Sequence, residues 1–73
     1  MDRLWNIRVT AVIRRGDGKE NIISHEGSAV ARSAAEALQA TLIEFRAEVN
    51  AVGMTFLYVE TFDYEQLDDE RRK

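Results

Sequence analysis

Cysteine is absent from this chain of 73 residues, which removes both a disulfide framework and any thiolate metal site. That absence fits a reducing cytoplasm. No run approaches the roughly 18 apolar residues that a membrane span needs. The opening "MDRLWNIRVTAVIRR" lacks the apolar centre and small-residue cleavage site of a signal peptide. Lysine is limited to Lys19 and Lys73, and the net charge is −3, so general binding to phosphate backbones is disfavoured.

Recognisable chemistry is missing too. His25 is the only histidine. It has no second ligand at metal spacing and no nucleophile in a known setting, so it reads as a solvent-facing strand residue. "GDGK" joins two strands and has no helix N-terminus after it to receive a phosphate. "LDDERRK" has no glycine-turned calcium loop. No catalytic residue, cofactor or metal ligand is expected, and the chain reads as non-enzymatic.

What is present is a globular composition, 45% hydrophobic and 32% charged, in one domain near the lower size limit for a core without staples. The charge is unevenly spread. Residues 3–15 carry Arg3, Arg8, Arg14 and Arg15 without an acid, whereas residues 60–70 carry Glu60, Asp63, Glu65, Asp68, Asp69 and Glu70 without a base. Such a split means either neutralisation between neighbouring strands or an acidic surface offered to a basic partner.

"LWNIRVTAVIR" places Trp5, Ile7, Val9, Ala11 and Ile13 on one parity, the period of a half-buried strand. The Asp17-Gly18 pair then supplies the positive φ values of a tight hairpin. The return strand, "KENIISHEG", ends or bulges at Gly27. In the next segment Ser33 and Glu36 form a capping box. Behind them Ala35, Leu38, Leu42, Phe45, Val49 and Val52 make an apolar helical stripe, and Gly53 stands at the expected left-handed cap. The opposite helix face holds Ala37, Ala40, Ile43, Ala47 and Ala51. This reads either as simple helix propensity or as a smooth docking face centred on Ile43.

"TFLYVETFDY" is a third strand, giving the order β-β-α-β. The expected fold is α+β: a three-stranded antiparallel sheet, order 2-1-3, with one helix packed on one face. The domain spans 1–64, and the charged residues 65–73 form a flexible tail. Four of the six aromatics lie on one parity of strand three, Phe56, Tyr58, Phe62 and Tyr64, together with Glu60. Burying that set would entomb the glutamate. Leu57 and Val59 are therefore expected under the helix and the rings on the open sheet face, unless a bulge switches parity along the strand.

Exposed rings beside an arginine have the composition of an interface centre. The expected partner contacts are Arg8, Phe56, Tyr58, Phe62 and Tyr64, with Glu65, Asp68 and Asp69 for electrostatic steering. An open aromatic face also suits single-stranded RNA or DNA, the less favoured ligand for so acidic a chain. The chain is read as a monomer or as a homodimer joined through its aromatic faces.

The order of elements over residues 4–64, with "ARSAAEALQATL" opening the helix after a hairpin, resembles small phage-encoded host-takeover proteins. Among these are inhibitors of bacterial RNA polymerase and, as second choice, anti-CRISPR proteins. The resemblance implies a non-catalytic module in the cytoplasm of a bacterial host. It would act by occupying a surface that a larger host complex needs, most readily RNA polymerase.

Overall fold

The computed structural model describes residues 2–67. Strands β1 (Arg3–Arg14) and β2 (Glu20–Ala31) form a hairpin, helix α1 (Ala34–Ala51) comes next, and β3 (Thr55–Gln66) returns along the free edge of β1. All pairings are antiparallel and the sheet order is β2-β1-β3, the α+β architecture expected from the sequence.

The hairpin turns through Gly16, Asp17 and Gly18. The Gly18 amide donates to the Arg15 carbonyl at 2.9 Å and the Arg15 amide to the Lys19 carbonyl at 2.8 Å. Asp17 Oδ1 also accepts from the Lys19 amide at 3.0 Å. Of the expected Asp17-Gly18 pair only Gly18 has positive φ, 87°, so a left-handed glycine closes a three-residue loop. Beyond the turn, β2 neither bulges nor stops at Gly27. It runs in unbroken register to Ala31, with Gly27 opposite Ile7.

Helix α1 begins as its sequence indicates. Ser33 Oγ accepts from the Glu36 amide at 3.2 Å, and Glu36 Oε1 accepts from the Arg32 amide at 3.2 Å. It ends with Gly53 at φ 81°. The Gly53 amide donates to the Asn50 carbonyl and the Met54 amide to the Val49 carbonyl, both at 3.0 Å, the two bonds of a Schellman cap.

The helix is rolled relative to the expected stripe. Its buried line is Ala37, Thr41, Phe45 and Val49, with Leu38 and Leu42 half-buried; Ala35 and Val52 are exposed. Ala37, expected on the outer face, is fully buried. The reason lies in β2, whose residues paired with Ile7, Trp5 and Arg3 are Gly27, Ala29 and Ala31. Small side chains there let the helix settle close to β2. The core then closes around Ile7, Val9, Ala11 and Ile13 with Ala31, Ala37, Phe45 and Val49.

Strand β3 keeps Val59 on the helix side as expected but corrects the facing of Phe56, Phe62 and Tyr64, through the parity-switching bulges held open as the alternative. Its register against β1 shifts twice, skipping Glu60 between Thr61 and Val59 and skipping Leu57 between Tyr58 and Phe56. Each shift is a β-bulge, which adds a residue and reverses the facing of the residues beyond it. Directly paired residues share a sheet face. Phe56, Val59, Phe62 and Tyr64 pair with core-facing Ile13, Ala11, Val9 and Ile7, so they lie on the helix side. Tyr58 pairs with Val12 on the open side. The glutamate that argued against burying its neighbours is taken out of the ladder by a bulge and stays exposed.

The strand also outruns its expected end. Glu65 and Gln66 pair with Asn6 and Trp5, and the Leu67 amide donates to the Leu4 carbonyl at 2.8 Å. Backbone partners along the long β1 edge hold residues that their charge alone assigned to a tail.

Candidate functional site: an aromatic edge and a histidine–carboxylate cluster

A strand of 12 residues spans about 40 Å, whereas a helix of 18 residues spans about 27 Å. The helix cannot cover the whole sheet, and its inclination towards β2 decides which part stays bare. Phe62 and Tyr64 remain 45% and 58% exposed although they share the core's side of the sheet. Their rings stack with centroids 6.4 Å apart. Tyr64 in turn meets half-buried Trp5 edge-on at 6.0 Å, and the Trp5 indole N–H donates to the Ala31 carbonyl at 3.0 Å. The result is a connected row of three rings beside the helix, anchored at Trp5 and open at Phe62 and Tyr64.

The expected contact set is therefore divided. Phe56 is no surface anchor: it meets Phe45 edge-on at 5.3 Å and the Arg46 guanidinium covers its ring at 4.8 Å. Tyr58 and Arg8 do lie on the open face. Tyr58, 56% exposed, borders an open hollow of about 400 Å³ lined also by Val12, Glu20, Asn21, Ile22 and Glu60. Arg8 sits 3.8 Å from Glu26 on β2 and opposite Asp63 on β3, so acids flank it on both sides. Glu65 is on the same open face, paired with Asn6. Asp68 and Asp69 lie outside the described residues.

Most of the open face is a polar pavement. Asn6 donates to Glu26 at 2.7 Å, Thr10 and Ser24 share a hydrogen bond at 3.2 Å, and Arg14 pairs with Glu20 at 3.4 Å. The four-ring platform expected there is reduced to Tyr58. On the helix, Ile43 is 71% exposed as expected, beside exposed Ala40 and Ala47.

His25 departs furthest from its expected role. It faces the helix and not solvent, with its side chain only 13% exposed. Its ring stacks on Phe45 at 4.9 Å with a 14° interplanar angle. Nε2 lies 3.2 Å from Glu44 Oε1 and Nδ1 lies 3.4 Å from Glu48 Oε1. Gly27 makes room for the arrangement, since a Cβ there would sit 3.3 Å from Glu44 Oε1. Spacing in the chain gave no sign of this cluster, because its partners are 19 and 23 positions away. The one available signal was that Glu44 and Glu48 stand one helical turn apart.

Compared with known proteins, the chain matches no family model, and no curated protein or solved structure is significantly similar to it. No helix among the described residues is long and apolar enough to cross a membrane.

Proposed function

We propose that this chain is a non-catalytic protein-binding module that docks through the C-terminal half of β3 onto a basic protein surface. One observation carries the reading. On this edge strand Phe62 and Tyr64 project on one side while Asp63 and Glu65 project on the other. A partner engaging the edge therefore meets apolar anchors and carboxylates together. Exposed, stacked aromatics suit buried interface centres, and flanking carboxylates suit a rim that steers arginine or lysine.

The finer assignment, inhibition or redirection of bacterial RNA polymerase with a CRISPR effector as the alternative, rests on the resemblance in element order. It is compatible with an acidic edge, since both assemblies carry basic surfaces made for nucleic acid. The competing single-strand nucleic-acid reading loses ground, because the open face keeps one ring and an arginine flanked by acids.

The test measures binding of purified bacterial RNA polymerase to the immobilised chain, with labelled single-stranded oligonucleotides in parallel. Polymerase binding should be lost in the Phe62→Ser/Tyr64→Ser double variant. Association should slow in Asp63→Asn/Glu65→Gln and show a weaker salt dependence. Because both rings are about half exposed, the aromatic double variant should stay folded, within about 1 kcal/mol of wild type. Oligonucleotide binding that falls steeply with salt, without polymerase binding, replaces this reading with the nucleic-acid one.

A further inference from the structure

We infer that His25, Glu44 and Glu48 form a site for a divalent transition-metal ion of the zinc class, which cross-links α1 to β2. Hydrogen-bond supply within the cluster is unbalanced whenever the imidazole is neutral. A neutral imidazole has one N–H and one lone pair, yet a carboxylate oxygen stands near each ring nitrogen, at 3.2 Å and 3.4 Å. One of the two carboxylates must then face a lone pair. Two like charges one turn apart on a helix add to the repulsion. Among the described residues the ion pairs of Glu44 and Glu48 are both with His25. With a neutral imidazole the cluster lacks a positive charge, which either a second ring proton or a bound cation supplies.

The donor set selects the cation. One imidazole nitrogen and two carboxylate oxygens suit zinc-class ions, whereas calcium and magnesium favour all-oxygen shells. One ligand atom from each residue falls within 4.8 Å of the others. Bonds of about 2.0–2.2 Å draw the ligand atoms closer than that span, so one ring nitrogen takes the ion and the glutamate beside the other nitrogen swings across to it, the two glutamate side chains being 62% and 63% exposed. The imidazole is the fixed member, held by its stack on Phe45. Coordination positions beyond the three protein ligands face solvent and take water. The site lies on the β2 flank of the helix, so it stands independently of the β3 docking edge.

The full chain, stripped of metal with a chelator, is titrated with zinc by calorimetry and with cobalt for its visible spectrum. Nuclear magnetic resonance tracks the His25 ring protons. The expected result is one ion per chain, cobalt bands of low-coordinate geometry, and a shift of the His25 resonances. Glu44→Gln and Glu48→Gln should each weaken binding at least about tenfold, since even outer partners of a metal site are worth that much. Glu20→Gln, on the opposite sheet face, should leave affinity unchanged. Affinity indifferent to both Glu44→Gln and Glu48→Gln assigns the ion elsewhere and overturns the site. Loss in only one of them overturns the three-ligand set. Dissociation constants weaker than about 1 mM, with His25 responding to pH alone, leave a proton as the occupant and overturn it equally.

Discussion

The two flanks of α1 look down on the same sheet face and meet opposite surfaces. On the β2 flank lie Gly27, Ala29 and Ala31 in an unbroken 12-pair register, and the helix closes until Glu44 and Glu48 reach His25. On the β3 flank lie Phe56, Val59, Phe62 and Tyr64 in a strand with two bulges, and beyond Phe56 the rings stay open to solvent. Side-chain size decides where a short helix settles on a long sheet, and what it leaves uncovered becomes surface. The small flank makes the histidine–carboxylate cluster. The large flank leaves the exposed aromatic edge proposed for docking.

Phe45 joins the two flanks, since it stacks on His25 and meets Phe56 edge-on while only 2% exposed itself. Its loss should have the largest effect. Phe45→Ala is expected to lower unfolding free energy by about 3–5 kcal/mol, read from urea denaturation. In a domain of this size that leaves little stability. A loss under about 1 kcal/mol would mean that the flanks are held separately and that Phe45 does not couple them.

Gly27→Val tests the small flank alone. A β-branched side chain there meets Glu44, His25 and Thr41, each within 4 Å of its first carbon. The helix must shift off β2, at about 1–3 kcal/mol. Gly27→Ala should cost less, because its tightest contact is the end of an exposed glutamate. If valine proves as harmless as alanine in the same denaturation assay, glycine is not what lets the helix approach.

The smallest effect is expected on the open face. Arg8→Gln removes an ion pair whose side chains are 58% and 50% exposed, and should change stability by less than about 1 kcal/mol. A larger loss by thermal denaturation would show that the polar pavement holds the sheet together more than its exposure suggests.

How much of this was legible in the sequence varies by element. Ser33, Glu36 and Gly53 mark the helix ends because caps are local chemistry, satisfied by residues three or four positions apart. The odd residues of β1 alternate because strand geometry alone requires it. Strand β3 was harder to read. Its alternation of Phe56, Tyr58, Glu60, Phe62 and Tyr64 is regular in sequence, yet bulges at Leu57 and Glu60 divide that set between two faces. A bulge depends on how a strand matches its neighbour, and no pattern within one strand reveals it. The cluster at His25 escaped for a similar reason, because its members meet only once helix and sheet have docked.

By itself the sequence determined the kinds of elements, their order and the ends of the helix, since periodicity, caps and turn residues act over a few positions. It also determined that nothing in the chain is linked by disulfides. Only the tertiary structure decided which rings face the helix, which face water, and which carboxylates share an imidazole. Those outcomes depend on the roll of α1 and the register of β3. Both are set by packing between residues far apart in the chain, where the size of a side chain on one element fixes the position of another.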